Sequence, residues 1–318
     1  MIVLGEGENA PGSRPSVAAI GVFDGLHLGH QRVIAEVCQL ARERNGVATI
    51  VTFDPHPATV LAPESAPLQL GTVSQRLEGL SALGIELVRV LRFDTALASE
   101  TASSFIERVL VGELRVCDVV VGEDFHFGHD REGNVAVLQR VGATFGFAVH
   151  PAPIYGGTQR WSSTAVRSAL GSGDLFSANA LLGRAFTLRG TVVHGDARGQ
   201  ELGFRTANMA TEPRQQLPAL GIYAGAARTS ERTWWPAAIS VGTRPQFYDD
   251  GALLVEVHLP GYVGDLYDTS IDVAFLARLR GEAVFTDVDA LVAQIGRDVD
   301  QTLEIFKNYS PLGSALLE

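Results

Sequence analysis

The fold of the N-terminal half is decided by "SVAAIGVFDGLHLGHQRVI", residues 16–34. The apolar run "SVAAI" has the composition of a buried strand, and the segment that begins at "HQRVI" has helical periodicity. Glycines, an aspartate and two histidines fill the turn between them. Because glycine lets a chain turn sharply, the stretch predicts a strand, a tight turn and a helix whose first N–H groups lie at a sheet edge.

The rest of the chain has two different rhythms. From residue 17 to about 185, apolar runs alternate with helical patterns, which is typical of right-handed crossovers in a doubly wound parallel sheet. After residue 186, short strands separated by Gly, Pro, Asp or Ser favour an antiparallel barrel or sandwich, followed by a C-terminal helix that Asp287 can cap. We predict an α/β protein with a doubly wound parallel-sheet domain, 1–185, and an antiparallel β-barrel domain with a C-terminal helix, 186–318.

Composition limits the classes of partner. The chain has 25 basic and 36 acidic residues, and this net charge of −11 disfavours non-specific binding of nucleic acid. It has no signal-peptide pattern and no apolar run near the roughly 20 residues of a membrane span. The two cysteines, Cys38 and Cys117, form no CxxC motif. These features predict a cytoplasmic protein that binds neither nucleic acid nor a membrane, and they leave the oligomeric state open.

The first candidate site is the turn itself. His27 and His30 are three residues apart at the start of the predicted helix, so their imidazoles share one face. Free N–H groups at a helix N-terminus attract phosphate, and imidazole N–H groups can donate to its oxygens. The pattern therefore predicts phosphate binding. Two alternatives are that the histidines only cap the helix, or that they are half of a zinc site completed by a remote ligand.

A second fragment, "WSSTAVRSAL" at residues 161–170, carries similar chemistry. Ser162 or Ser163 can cap a helix, and Arg167 lies within its first turns, where its side chain leans toward the N-terminus. Hydroxyls, free N–H groups and a guanidinium at one place predict an anion site. The alternative is an ordinary capped surface helix with a solvated arginine.

The second half offers oxygen donors on strands. Thr206 and Asn208 are two residues apart, so on extended backbone their side chains face the same way and can share a cation or a phosphate. In "LLVEVHL", residues 253–259, Glu256 shares a face with Leu254 and His258. Glu256 is therefore either an exposed exterior residue or a carboxylate at the barrel mouth, and the pattern alone favours the exterior.

The motifs "GVFDGLHLGHQRVI", "TFDPHP", "GEDFHFG" and "SSTAVR", in this order, resemble the nucleotidyltransferase superfamily. More narrowly, they resemble the FMN adenylyltransferase module of the bacterial bifunctional riboflavin kinase/FMN adenylyltransferase (FAD synthetase) family. The resemblance implies that His27 and His30 hold ATP phosphates, and that Ser163, Thr164 and Arg167 bind the β- and γ-phosphates that leave as pyrophosphate. It implies a nucleotide and flavin site formed by Gly21, Phe23, Asp24, Gly25, Gly29, Phe53, Asp54, His56 and Asp124. By the same resemblance the FMN phosphate itself would attack the α-phosphorus of ATP, with Mg²⁺, so no nucleophilic side chain would be needed.

The motifs "GQELGFRTAN", "GIYAG", "ISVGTRPQF", "VEVHL" and "LRGEAVF" resemble the riboflavin kinase module of the same family. By that resemblance Thr206 and Asn208 bind Mg²⁺ and ATP phosphates, with Gly203 in the same nucleotide motif. Glu256 would be the general base for the ribityl 5′-hydroxyl. The implied function is FAD biosynthesis from riboflavin through FMN, with ATP as co-substrate and flavins as substrates and products.

The chain departs from the family pattern mainly in the kinase half. Arg205 replaces a proline, Arg244 an asparagine and Asp268 a glycine, while the milder changes in the first half are His126 and Asp130. The two arginines have three possible consequences: they compete with Mg²⁺, they grip a phosphorylated or acidic ligand, or they face solvent. The alternative function is a divergent paralogue with nucleotidyl transfer only, or one acting on a flavin analogue, whose barrel is a binding domain. A binding protein without turnover is a third hypothesis.

Overall fold

A computed structural model describes residues 1–157, 160–195, 203–229, 233–243 and 253–309. By contacts between Cα atoms the chain divides into two compact units. The first contains Met1–Pro67 and Val73–Ser162, and the second contains Leu68–Thr72 and the described residues from Ser163 onward. Each unit is described by itself below.

The first unit is built on a six-stranded parallel sheet with the strand order β1-β4-β3-β2-β5-β8. Its strands are β1 (Ile2–Leu4), β2 (Ser16–Ile20), β3 (Val47–Asp54), β4 (Leu87–Arg92), β5 (Val116–Gly122) and β8 (Ala148–Ala152). A small hairpin joins β6 (His126–Phe127) to β7 (Gly133–Asn134). The predicted parallel sheet is confirmed. The three-residue edge strand β1 was not predicted, because a strand so short has too few residues to show a pattern.

Helices cover both faces of this sheet. They are α1 (Leu28–Glu43), α2 (Pro57–Leu61), α3 (Val73–Ala82), α4 (Thr95–Ala98), α5 (Ala102–Phe105), a π-helix (Ile106–Glu113) and α6 (Val135–Phe145). Ala18 and Ile20 of β2 belong to one apolar cluster, while Val17 and Ala19 belong to another. Successive strand residues point to opposite faces, so these two clusters are the cores on the two sides of the sheet. The doubly wound architecture therefore explains why the strands are apolar throughout.

The second unit begins with α7 (Ser163–Ser172) and α8 (Leu175–Leu182), and its strands form a closed antiparallel barrel in the order β10-β13-β12-β11-β14-β9. The strands are β9 (Phe186–Val193), β10 (Thr206–Thr211), β11 (Gly221–Arg228), β12 (Trp234–Thr243), β13 (Leu253–His258) and β14 (Ser270–Arg280). Inside it the buried ring of Phe275 contacts those of Phe186 and Tyr223. Of the two antiparallel folds considered, the barrel is the observed one, and closure removes every exposed strand edge.

Helix α9 (Val288–Tyr309) closes the described part of the chain. The Asp287 carboxylate accepts the backbone N–H of Ala290 at 2.7 Å, which confirms the predicted cap. Asp298 is buried and its carboxylate pairs with Arg280 of β14 at 2.7 Å. A paired buried charge and packed apolar side chains together hold this helix against the barrel.

Candidate functional site

The turn after β2 has an unusual backbone. Phe23 (φ 54°), Gly25 (φ 77°) and Leu26 (φ 44°) all lie in the left-handed region, which side-chain-bearing residues rarely adopt. Such residues cost about 1–3 kcal/mol each and persist only where surrounding contacts hold them. Here Gln31 Nε2 donates to the Leu26 carbonyl at 2.9 Å. A side chain at Gly21 would meet the Phe23 ring at 3.2 Å, so glycine is also needed for close packing.

His27 and His30 lie together at the start of α1. Nδ1 of His27 accepts the backbone N–H of His30 at 3.4 Å, so His27 is the N-cap of the helix. Accepting at Nδ1 leaves the ring proton of neutral His27 on Nε2. The two rings stack with centroids 3.7 Å apart. The capping alternative and phosphate binding are therefore compatible, because they use different ring nitrogens.

Gly29, between the two histidines, is closely packed on both sides. A Cβ there would lie 3.0 Å from the His27 ring and 3.3 Å from the Trp161 carbonyl oxygen. The backbone of the Trp161 segment thus lies directly against the first turn of α1. Within the described ranges, no group of three or more His, Cys, Asp or Glu side chains has the arrangement of a metal site.

The end of β3 carries the "TFDPHP" motif. Asp54 is exposed and Phe53 is half-buried, with its ring edge-on to Phe93 at 5.8 Å between centroids. His56 does not project freely, since its Nδ1 accepts the N–H of Ala58 at 3.1 Å and caps α2. The buried hydroxyl of Thr52 donates to the Val22 carbonyl at 3.0 Å, which ties the end of β3 to the turn after β2.

Arg76 of α3 was not identified from the sequence. It is only 5% exposed, and its Nη1 donates to Thr52 Oγ1 and to the Phe53 carbonyl, each at 2.9 Å. Burial lowers the pKa of its guanidinium, while the nearby carboxylates of Asp24 and Asp54 act in the opposite direction. The available signal was its spacing, because Arg76 lies four residues before the buried Leu80 and so shares the inner face of the helix.

The "GEDFHFG" motif follows β5. Asp124 forms an ion pair with Arg160 at 2.5 Å, and its Oδ1 would lie 3.1 Å from a Cβ at Gly122. His126 is exposed and its ring contacts the Asp124 carbonyl at 2.9 Å. Asp130 adopts a left-handed conformation with φ 49°, which aspartate tolerates better than most residues. The milder departures of the first half therefore lie at exposed positions of the β6–β7 hairpin.

The predicted anion-binding helix is α7 of the second unit. It begins at Ser163, with Thr164 exposed on its first turn. Nε of Arg167 donates to the carbonyl of Leu68 at 2.5 Å, in the short segment Leu68–Thr72 that belongs to the same unit. One edge of the guanidinium is thereby held on the backbone of a neighbouring segment, and this contact was not expected from the sequence.

The barrel pairs the polar residues of the "TAN" and "VEVHL" motifs. In the register of β10 with β13, Asn208 lies opposite Glu256 and Thr206 lies opposite His258. Val255 and Val257 on the alternate positions are fully buried inside the barrel, so the polar pairs lie on its outer face. The face is not simply exposed. Asn208 is 8% exposed and Glu256 is half-buried. The Asn208 amide also packs against Gly195, where a Cβ would overlap it.

A cavity of about 640 Å³ adjoins this face in the second unit, within the usual range for small-molecule sites. Its lining includes Gly203, Arg205, Thr206, His258, Asp265 and Tyr267. The ring of Tyr267 stacks on His194 with centroids 3.9 Å apart. Nδ1 of His258 contacts the Arg205 carbonyl at 2.7 Å, which anchors the backbone just before Thr206.

Three residues of the second half depart from the family pattern, and the structure describes two of them. Arg205 is exposed, and among the described residues it forms no ion pair. Asp268 has φ 58°, so its backbone keeps the left-handed conformation that glycine adopts most easily. Arg244 lies outside the described residues. The change at 268 therefore preserves the local backbone that a glycine would provide.

Comparisons with known proteins agree with the two-part architecture. The sequence model of the FAD synthetase family matches residues 10–165, and that of riboflavin kinase matches residues 182–306. A bifunctional riboflavin kinase/FMN adenylyltransferase of Pseudomonas fluorescens is 38% identical over 91% of this chain and 92% of its own length. The protein of that name from Escherichia coli strain K12 is also 38% identical, over 91% of this chain and 92% of its own length.

A solved structure is similar over most of the chain. A Streptococcus pneumoniae protein described as a macrolide-efflux protein has a TM-score of 0.81, 30% identity, and coverage of 92% of this chain and 95% of its own. Among the described helices of the present protein, none is both long and apolar enough to cross a membrane. The family models and the curated relatives agree with the motifs in both halves. This chain belongs to the bifunctional riboflavin kinase/FMN adenylyltransferase family and is a transferase.

Proposed function

We propose that this protein phosphorylates riboflavin to FMN and then adenylylates FMN to FAD, using ATP in both steps and releasing pyrophosphate in the second. Matches to both family models and to bifunctional relatives over 91% of the chain support two activities. The observation that carries the adenylylation proposal is the stacked pair of imidazoles at the N-terminus of α1. Flavin and ATP are the substrates that this family implies.

In the first unit we propose that His27, His30 and the N–H groups of α1 hold phosphates of ATP. An oxygen of the FMN phosphate attacks the α-phosphorus, and the bond from that phosphorus to the bridging oxygen of pyrophosphate breaks. Alignment and charge neutralisation supply the acceleration, so no covalent intermediate is required. From the family resemblance we also propose that Ser163, Thr164 and Arg167 donate hydrogen bonds to the β- and γ-phosphates.

The remaining predicted residues of the first unit would form the nucleotide and flavin surface. Phe53 offers an apolar ring beside the exposed Asp54, and Asp124 lies on the loop after β5. Asp24 is buried below the turn, and His56 caps α2 rather than contacting solvent freely. We propose that Phe53, Asp54 and Asp124 contact ligand directly. Asp24 and His56 then act on the shape of the site.

In the barrel we propose that Glu256 takes the proton from the ribityl 5′-hydroxyl. The 5′-oxygen attacks the γ-phosphorus of ATP, and ADP departs. Thr206 and Asn208 supply a hydroxyl and an amide oxygen beside this carboxylate, which are the oxygen donors that Mg²⁺ prefers, and their register fits such a site. Bound there, Mg²⁺ would neutralise charge on the ATP phosphates. The cavity next to Thr206 is large enough for a nucleotide or a flavin.

The alternative of a paralogue with nucleotidyl transfer only is not favoured. The riboflavin kinase model matches the barrel half, and the motif residues Thr206, Asn208 and Glu256 are all present. Arg205 is exposed, and solvent screens an exposed charge. We also propose that the protein works in the cytoplasm, where its two free thiols would stay reduced.

The test is to incubate pure protein with Mg-ATP and either riboflavin or FMN, and to separate the flavins by chromatography. FMN from riboflavin and FAD from FMN are the expected products. FAD from FMN without FMN from riboflavin would support the single-activity paralogue. Flavin binding without either product would support a binding protein.

A further inference from the structure

Arg76 is a buried cation whose hydrogen bonds lead toward the turn before His27. It lies on α3, and its guanidinium is held by the hydroxyl of Thr52 and the carbonyl of Phe53, both at 2.9 Å. Its Nε is buried and has no hydrogen-bond partner among the described residues. Leaving one donor unsatisfied costs free energy, so the two hydrogen bonds of Nη1 must outweigh that cost for the side chain to stay buried.

The hydrogen bonds continue from Arg76 to the turn. Thr52 Oγ1 accepts from Arg76 and donates its own proton to the carbonyl of Val22 at 3.0 Å. Val22 is the residue before Phe23, where the left-handed segment begins. A hydroxyl that accepts and donates at once transmits the position of one partner to the other.

Helix α3 also holds the other end of the turn. A Cβ on Gly79 would overlap Cδ1 of Leu26, so the Leu26 side chain packs directly on the helix backbone. Leu26 is the last residue before His27 and has φ 44°. The same helix therefore fixes the turn at Val22 through Arg76 and Thr52, and at Leu26 through packing.

Charge favours the same arrangement. Asp24 is 4% exposed within the turn, and its carboxylate and that of Asp54 act on Arg76 through space. A buried carboxylate near a triphosphate would repel it, and an adjacent guanidinium offsets that repulsion. Loss of Arg76 would thus remove both a hydrogen-bond link and a compensating charge.

We propose that Arg76 is a positioning residue for adenylyl transfer: through Thr52 it holds the Val22–Leu26 turn in the conformation that presents His27 and the N-terminus of α1 to ATP. The inference rests on the proposed FMN adenylylation. Arg76 itself touches neither substrate. Arg76 removes the free-energy cost of reorganising the turn when ATP binds. Loss of Arg76 therefore weakens ATP binding more than it lowers the rate of the reaction in the bound complex.

The test compares R76K, R76Q, T52V and the double variant R76Q/T52V for FAD formation from FMN. We expect R76Q to raise KM for ATP about tenfold with less than a threefold change in kcat, and R76K to recover part of the loss. If Arg76 acts through Thr52, the double variant will resemble R76Q rather than the product of the two single effects. The rate of FMN formation from riboflavin is expected to stay unchanged.

R89Q is the matched control, because Arg89 is 3% exposed in the same unit and pairs with Glu113 at 2.7 Å. Its removal leaves Glu113 paired with Arg108, and the KM for ATP is expected to match wild type. Should R76Q fail to fold, the single variants T52V and R76K test the positioning role through the same measurement of KM for ATP. An unchanged KM in the folded variants, or equal losses in both reactions, would overturn the proposal.

Failure of the proposed function would look different, because wild-type protein would then form no FAD. In that case the affinity of wild type, R76Q and R89Q for Mg-ATP is measured by calorimetry. Weakened binding in R76Q alone supports the positioning role, and equal affinities contradict it.

Discussion

The imidazole rings of His27 and His30 stack with their centroids 3.7 Å apart and their planes inclined by 23°. Two imidazolium ions so close would repel each other, and Nδ1 of His27 accepts a backbone N–H and so carries no proton, while a bound anion would favour a positive charge on the His30 ring. A phosphate chain is such an anion. Under the proposed function the pair would contact the phosphates of ATP, while Nδ1 of His27 remains committed to the helix N-cap.

Replacement of His30 by alanine is expected to lower FAD formation from FMN by about 10²- to 10³-fold, the usual cost of one lost donor to a charged transition state. Riboflavin phosphorylation is expected to remain at the wild-type rate, because its proposed site in the barrel uses other residues. Both rates are measured by chromatography of the flavins. H129A is the control, since the His129 side chain is exposed and lies beside the exposed Asp130. Equal loss of the two activities would contradict separate sites.

Glu256→Gln keeps the size of the side chain and removes its basicity. We expect the kcat of riboflavin phosphorylation to fall by about 10²- to 10⁴-fold, as for removal of a general base, while FAD formation from FMN stays unchanged. Steady-state assays of the two reactions check this. E304Q on the exposed side of α9 is the matched control. A kinase rate within a factor of three of wild type would remove Glu256 from the proposed role.

The double variant R205P/R244N tests the arginines that depart from the family pattern. Arg205 is exposed, so its charge is screened over about 8–10 Å at ordinary salt. We expect less than a threefold change in kcat/KM for riboflavin. A rise of tenfold or more would show that the arginines inhibit the kinase, and a fall of that size would show that they grip the ligand.

Asp272 gives the barrel a predictable pH dependence. Burial raises its pKa, but hydrogen bonds from Arg189 and Arg228 outweigh burial and hold the pKa below the ordinary value of 3.8. Because the unfolded chain binds this proton more readily, Asp272 stabilises the fold fully above that value. Its contribution is lost as the pH falls through the lowered pKa.

Asp272→Asn is therefore expected to lower the free energy of unfolding at pH 7 and to flatten its decline below pH 4, as measured by urea denaturation. Breaking a buried ion pair commonly costs about 3–5 kcal/mol. D300N, on an exposed position of α9, is the control. An unchanged pH profile in D272N would contradict the assigned cause.

The sequence predicted the elements that have strong local patterns. The β2 strand, the glycine turn and α1 follow from apolar runs and glycine spacing, and the Asp287 cap follows from its place before a periodic segment. Arg76 could not be recognised in the same way. An arginine on a helix is normally solvated, and only the packing of α3 on the turn buries it against Thr52.

The barrel shows the same division. The two-residue spacing of Thr206 and Asn208 determined that they share a face, but spacing within one strand says nothing about the neighbouring strand. The register of β10 with β13 brought Glu256 opposite Asn208. The sequence alone left Glu256 between an exterior position and the barrel mouth, and the buried Val255 and Val257 decided for the outer face.

By itself, the sequence determined the fold class, the two-part organisation and the family, because these depend on periodicity and on short motifs that are read along the chain. Only the tertiary structure decided which turn residues are left-handed and that His27 and His30 stack. It also decided that Arg76 is buried and hydrogen-bonded to Thr52. The physical reason is that these properties arise from contacts between residues far apart in sequence, where hydrogen bonds and packing set positions that local propensity cannot.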